Sequence, residues 1–283
     1  MIKYLLFLLM SVQTLSCENK QSSVVNPLPA QIFFDVAYGS GQAQKMDVYL
    51  PAGRTMADTK FIVMIHGGGW SSGDKSDFNA YVDTIKRRMP DYAIFNVNYR
   101  LSTGSSNTFP TQENDVRSAM DFIAARVNEY NISSKMVLMG ASAGGHLALL
   151  QGYKYDHPLK PKAIIDLFGP TDLTELYVHP SPSVPPLLLA FVIGGSPSGN
   201  PDLYYQSSPI NFVNAQSPPT IIFQGGADPL VSPLQSELLN SKLESSGVPH
   251  QYIVYPTEGH GWYGSKITDS FDKIQAFLSA NVK

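Results

Sequence analysis

A chain of 283 residues, 43% apolar and 15% charged, can fill one large α/β core and is too apolar to be disordered. Its net charge of −3 supplies no basic field, so neither nucleic acid nor an anionic membrane surface is an expected partner. The lone cysteine, Cys17, rules out a disulfide within the chain, and the absence of a fixed-period repeat, heptad pattern or charge run argues against a solenoid, coiled coil or charged tail.

The N-terminal segment stands apart from the rest. Met1-Ile2-Lys3 carries one positive charge, Tyr4 to Val12 is almost wholly apolar, and Leu15-Ser16 puts a small residue before Cys17. Such a run is short for a membrane span and suits a signal-peptide core, so residues 1–16 are expected to be a signal peptide. The pattern resembles a bacterial lipoprotein signal, although Thr14 stands where leucine is more usual. That resemblance implies lipidation of Cys17, export, and contact with a membrane only through the lipid anchor, on a periplasmic or cell-surface face. An ordinary secreted protein cut nearby is the competing reading. Residues 17–30 would then be the lipidated N-terminus and a tether, polar and containing Ser and Pro from Glu18 to Pro29.

From Gln31 to Lys283 the chain alternates strand-like and helix-like segments, which reads as a single α/β domain. Strands are expected at Gln31–Tyr38, Gln44–Leu50, Phe61–His66, Tyr92–Asn98, Lys135–Gly140, Ala163–Phe168, Thr220–Gln224 and Gln251–Tyr255. Helices are expected at Asp77–Arg88, Glu113–Tyr130, Ala143–Gly152, Pro233–Ser246 and Ile267–Asn281. In the second of these, Val116, Ala119, Met120, Ile123 and Val127 fall on one face at helical spacing. Two opening strands followed by repeated βα units predict a mostly parallel sheet with helices on both faces and ligands beyond the carboxyl ends of the strands. Residues 171–218, rich in Pro, Gly and Ser around the apolar patch Leu187 to Ile193, interrupt this pattern. A segment that long is expected to be a lid or a pocket wall.

Gly140-Ala141-Ser142-Ala143-Gly144 carries the chemistry. It follows a short apolar strand and opens a small-residue helix, the context that places a serine on a tight elbow beside helix-terminal amide donors. Acyl transfer by that serine also needs a base, a group to orient the base, and amides for the developing oxyanion. His66-Gly67-Gly68-Gly69-Trp70, directly after a strand, offers amides free of Cβ interference. Gly68 to Ser76 has a superficial likeness to a phosphate loop, but Asp74 follows Gly73 where that motif needs Lys. His66 is expected to brace the loop. Asp228, at the end of the run beginning at Thr220, is the favoured acid, ahead of Asp166 inside an apolar strand and Asp172 after a Gly-Pro turn. His260, flanked by Gly259 and Gly261 after the last strand, is the favoured base. Of the others, His146 lies on the nucleophile helix, His157 and His179 lie in Pro-adjacent loops, and His250 opens a strand.

Together, His66-Gly67-Gly68-Gly69-Trp70, Gly140 to Gly145, Asp228-Pro229-Leu230-Val231 and Gly259-His260-Gly261, in the order Ser…Asp…His, resemble the α/β-hydrolase superfamily over nearly all of Gln31 to Lys283. The closer likeness is to HGGG-type carboxylesterases related to hormone-sensitive lipase, and to bacterial feruloyl/acetyl-xylan esterase-like proteins. Ala141 replaces the acidic residue that many HGGG esterases carry before the serine, which favours the xylan-esterase-like branch. The resemblance implies an eight-stranded, mostly parallel sheet with a small lid. It makes Ser142 the nucleophile, His260 the base and Asp228 the orienting acid, with oxyanion donors at Gly68, Gly69 and Ala143. Arg100 and Asp115 would form a structural ion pair under the site. The implied substrate is a small-molecule or oligosaccharide ester with a short acyl or aryl group, handled without metal or cofactor. An amide-cleaving serine hydrolase, like kynurenine formamidases or prolyl-oligopeptidase-like peptidases, and an inert binding protein of the same fold are the alternatives.

Overall fold

Strands buried on both faces have no polar side to present, so they appear in the sequence as continuous apolar runs. Phe61-Ile62-Val63-Met64-Ile65 is such a run, and every residue of it is buried. The computed structural model describes residues 26–181, 183 and 186–283. The expected signal peptide, Cys17 and the tether as far as residue 25 lie outside the described residues. Eight strands form one sheet in the order β1-β2-β4-β3-β5-β6-β7-β8. They are β1 (Gln31–Ala37), β2 (Lys45–Leu50), β3 (Lys60–Ile65), β4 (Tyr92–Val97), β5 (Met136–Ala141), β6 (Ala163–Leu167), β7 (Thr220–Gly225) and β8 (His250–Tyr255). The β1–β2 and β2–β4 pairs are antiparallel, and every later pair is parallel.

Parallel neighbours require crossovers, and helices supply them on both faces. Alternate side chains of β3 separate into two cores. Phe61, Val63 and Ile65 join the core that includes Val116, Leu147 and Leu239, from α2 (Thr111–Ala124), α4 (Ala143–Lys154) and α8 (Pro233–Ser245). Ile62 and Met64 join the opposite core with Ile85 and Phe271, from α1 (Asn79–Arg88) and α9 (Ser265–Asn281). Among the described residues no helix is long and apolar enough to cross a membrane.

Two segments depart from the sequence reading. The expected helix Glu113–Tyr130 divides into α2, ending at Ala124, and α3 (Val127–Tyr130). At the break Arg126 leaves helical geometry (φ −121°, ψ 9°) and lays its guanidinium 3.6 Å from the centre of the Phe122 ring. Residues 171–218, read as a long loop, contain α5 (Leu173–Val178), α6 (Pro186–Ile193), α7 (Pro201–Gln206) and a 3₁₀ turn at Pro209–Phe212. Asp172 caps α5 by accepting a hydrogen bond from the Glu175 amide at 2.9 Å. α6 is apolar all round, so no periodicity marks it as a helix. It buries Leu189, Val192 and Ile193 and leaves Leu187 74% exposed.

Candidate active site

The chain turns from β5 into α4 at Ser142, where φ is 53° and ψ −124°. A serine held at positive φ stores strain on the order of 1–3 kcal/mol, and neighbouring bonds must fix it. The Ser142 amide donates to the Leu167 carbonyl (2.8 Å), and the Ser142 carbonyl accepts from the His146 amide (3.0 Å). Close packing beneath the elbow is possible because Gly144 lacks a side chain: a Cβ there would lie 1.9 Å from the Ile65 carbonyl oxygen.

Asp228 and His260 are brought together from the ends of β7 and β8. His260 Nδ1 lies 2.8 Å from Asp228 Oδ2. A carboxylate accepts, so Nδ1 carries the proton, and in the neutral ring that tautomer leaves the Nε2 lone pair free. The other Asp228 oxygen accepts from the Leu230 amide (2.8 Å) and the Val231 amide (3.0 Å). Gln224, itself held by the Ser236 hydroxyl at 2.8 Å, donates to Asp228 Oδ2 at 3.3 Å. The imidazole packs against Phe168, ring centres 4.5 Å apart. Neither Gln224 nor Phe168 stands out in the sequence, because each acts only through a tertiary contact.

The rival acids are committed elsewhere. Asp172 is the α5 cap described above. Asp166 is wholly buried, and its Oδ1 accepts from the Gly169 amide at 3.0 Å. Burial pushes its pKa up to about 8.

The loop after β3 holds three successive residues at positive φ: Gly68 (102°), Gly69 (56°) and Trp70 (58°). The Gly68 carbonyl is turned inward, accepting from the Ser72 amide (2.9 Å) and the Ser72 hydroxyl (2.8 Å). The amides of Gly68, Gly69 and Ala143 find no acceptor among the described residues. Donors left free beside a nucleophile are what a developing oxyanion requires. His66 braces this loop: its Nδ1 donates to the Gly67 carbonyl at 2.8 Å, and its ring stacks on Tyr99 at 4.3 Å. Burial lowers the His66 pKa, favouring the neutral ring.

Arg100 and Asp115 do pair, with Arg100 Nε 2.9 Å from Asp115 Oδ2 and the second nitrogen 2.6 Å from Oδ1. Asp115 also accepts from Gln44 Nε2 at 2.8 Å. The pair thus fastens the segment after β4 to α2 and to the β1–β2 turn, and neither residue lines the cavity onto which Ser142 opens.

Ser142 and His260 open into one cavity of about 580 Å³ at the carboxyl ends of the strands. Its walls differ in character. Leu176, Leu188 and Leu189 from residues 171–218 form an apolar side with Leu230 and Val231, while Ser71, Ser72 and Asp77 add polar groups. A serine, an oriented imidazole and unspent amide donors around a largely apolar pocket form an arrangement able to bind and attack a carbonyl compound.

Comparison with known proteins agrees with this architecture. The chain is 26% identical over 236 residues to the probable carboxylic ester hydrolase LipM of Mycobacterium tuberculosis, covering 78% of this chain and 53% of that protein. It is 25% identical over 245 residues to dipeptidyl aminopeptidase BIII of Pseudoxanthomonas mexicana, covering 80% of this chain and 34% of that one. The chain therefore spans about half or less of the length of these curated relatives. A truncated form of a carbohydrate esterase from gut microbiota superposes with a TM-score of 0.74 at 25% identity, covering 88% of this chain and 96% of that one. The BD-FAE family profile matches residues 46–243. With that match extending from β2 into α8, through Ser142 and Asp228, the chain belongs to the BD-FAE family.

Proposed function

We propose that this protein is a serine carboxylesterase that hydrolyses short-chain acyl or aryl esters through an acyl-enzyme. The observation that carries the reading is that His260, bonded to buried Asp228 at 2.8 Å, lines the same cavity as a serine held at φ 53°. His260 Nε2 takes the Ser142 proton as Oγ attacks the ester carbonyl. Asp228 holds the imidazole in the tautomer this transfer needs and stabilises the imidazolium that forms. The amides of Gly68, Gly69 and Ala143 receive the oxyanion. Collapse of the tetrahedral intermediate expels the alcohol with the proton from His260, and water then repeats the sequence on the acyl-serine. No cofactor enters these steps.

The apolar wall suits a short acyl chain, and Ser71, Ser72 and Asp77 suit a hydroxyl-bearing alcohol, which favours acetyl or feruloyl esters of a saccharide. Likeness to a dipeptidyl aminopeptidase supports amide cleavage as the second reading. The apolar run Tyr4 to Val12 before Cys17 supports export with a lipid anchor.

A fluorophosphonate probe followed by peptide mapping should label Ser142, and lack of labelling would remove both enzymatic readings. The specificity constant should be measured for p-nitrophenyl esters of two to twelve carbons, acetylated xylo-oligosaccharides, methyl ferulate, kynurenine formamide and dipeptidyl nitroanilides. A decline beyond butyryl is expected, since each methylene in an apolar pocket is worth only about 1–3 kcal/mol. A maximum at eight carbons or longer overturns the short-acyl reading, and faster turnover of the amides overturns the esterase reading.

A further inference from the structure

We propose that His146 is a positioning residue that holds the oxyanion loop in register with the nucleophile, resting on the esterase reading for the reaction it serves. His146 lies on the first turn of α4, four residues beyond Ser142, and is fully buried. Both ring nitrogens are committed. Trp70 Nε1 can only donate, so His146 Nδ1, 3.2 Å away, accepts. The Ser207 carbonyl can only accept, so His146 Nε2, 2.6 Å away, carries the proton and donates. The neutral Nε2–H tautomer is therefore the one form that satisfies both partners, and burial keeps the ring neutral by driving its pKa down to about 4.

These two bonds join three separate pieces of the site. Trp70 directly follows Gly69 and is itself held at φ 58°, so the position of its indole fixes the direction of the preceding peptide. Its ring packs edge-on against His146 at 5.1 Å and against Phe109 at 6.2 Å. Ser207 ends α7, so the second bond reaches the segment that supplies Leu176, Leu188 and Leu189 to the pocket wall. Phe109 reaches the same segment, its amide donating to the Val192 carbonyl at 2.9 Å. One imidazole thus ties the serine helix to the amide donors on one side and to the pocket wall on the other. Oxyanion donors act through sub-ångström placement, so the Trp70 bond is expected to bear on the transition state more than on substrate binding.

The two bonds can be broken separately. Asn places its side-chain oxygen near the Nδ1 position and keeps an acceptor for Trp70, whereas Gln places its side-chain nitrogen near Nε2 and keeps a donor for Ser207. His146→Gln should lower kcat for p-nitrophenyl acetate by about tenfold to a hundredfold, the range expected when a reacting group is displaced by roughly an ångström. Its KM should stay within about twofold, because uniform binding is untouched. His146→Asn should retain kcat within a few-fold. Trp70→Phe removes the same bond from its other end and should reproduce the Gln loss, which keeps the test alive if His146→Gln fails to fold. The chain has two tryptophans, so a Trp262→Phe background isolates the Trp70 emission, which should shift in the Gln variant and not in the Asn variant. Equal losses in the Asn and Gln variants, a loss expressed in KM, or full kcat in Trp70→Phe overturns the proposal. Wild-type hydrolysis of p-nitrophenyl acetate tests the esterase reading independently, and the emission comparison needs no turnover.

Discussion

Alanine substitution at Gly68 and at Gly69 is the same chemical change one residue apart, yet the structure assigns the two very different costs. At Gly68, φ is 102°, outside the region an L-residue adopts readily, and the added Cβ would lie 2.1 Å from the Ser72 carbonyl oxygen and 2.5 Å from its carbon. Both atoms are backbone, so the turn closed by the Ser72 hydrogen bonds must open and carry the Gly68 and Gly69 amides with it. Losing one oxyanion donor costs about 10²–10³ in kcat, or about 2.7–4 kcal/mol, so Gly68→Ala should lose at least that much. At Gly69, φ is 56°, also in the region that disfavours an L-residue, but the added Cβ would meet only the Leu188 methyls, at 3.4 Å and 3.9 Å. A conformational cost on the order of 1–2 kcal/mol in stability is expected there, with kcat changed less than tenfold. The measurement is kcat and KM on p-nitrophenyl acetate beside urea unfolding of both variants. Equal loss of kcat in two folded variants, or Gly68→Ala retaining kcat within tenfold, refutes the assignment of this loop as the oxyanion hole.

Asp228→Asn should lower kcat by about 10³–10⁴, through a misoriented imidazole, and full activity in that variant with loss in Asp166→Asn would move the acid to β6. Asp166 has its folded pKa raised to about 8 by burial, so the native state holds a proton that the unfolded chain releases near pH 4. Burial penalises only the ionised carboxylate, so the full stability is present below the unfolded pKa and declines as pH rises from there through the folded value, with a slope of up to about 1.4 kcal/mol per pH unit. Asp166→Asn should remove that slope in urea titrations between pH 4 and 9, and an unchanged slope refutes the buried-acid account. Leu188→Ala should raise the specificity constant for hexanoyl relative to acetyl esters by widening the apolar wall, and an unchanged ratio would place the acyl chain elsewhere. Mass spectrometry of the native N-terminus should find diacylated Cys17, and an unmodified chain cut elsewhere sinks the lipoprotein proposal.

What the sequence made legible follows from how each element is buried. β3 and β5 lie inside the sheet, so each is an unbroken apolar run, and their lengths were readable to within a residue. The groups of the candidate site were readable because each sits at a strand end beside glycines, where local pattern and position coincide. α6 was not readable as a helix: Pro186 to Ile193 is apolar on every side, so its pattern fits a loop patch, a strand or a helix equally. Gln224, Phe168 and the contacts of His146 were not readable for another reason. His146 meets partners 76 and 61 positions away in the chain, and nothing within one helix turn of it signals either. The resemblance to known esterases named the candidate reacting groups without reporting what holds them in place.

Strand order explains why that supporting layer is needed. β3 and β5 are neighbours, so the glycine loop after β3 arrives beside Ser142 directly. Asp228 and His260 leave β7 and β8, with β6 lying between them and β5. At roughly 4.8 Å per strand, β5 and β8 are about 14 Å apart, too far for an imidazole to reach a serine from the end of its own strand. The chain after β8 must therefore fold back across the sheet. It does so over β7: the Ala227 amide donates to the Glu258 carbonyl (2.9 Å), the Gly226 amide to the Tyr255 carbonyl (2.8 Å), and a Cβ at Gly225 would lie 2.0 Å from the Gly259 carbonyl oxygen. β6 contributes no reacting group, yet it fills the remaining gap. Its Leu167 carbonyl takes the Ser142 amide, and Phe168, held at φ 47° with its amide on the Phe223 carbonyl at 2.8 Å, supports the His260 ring. The spacing of the sheet thus sets the requirement, and the Gly225 approach and the Phe168 ring are the two devices that meet it.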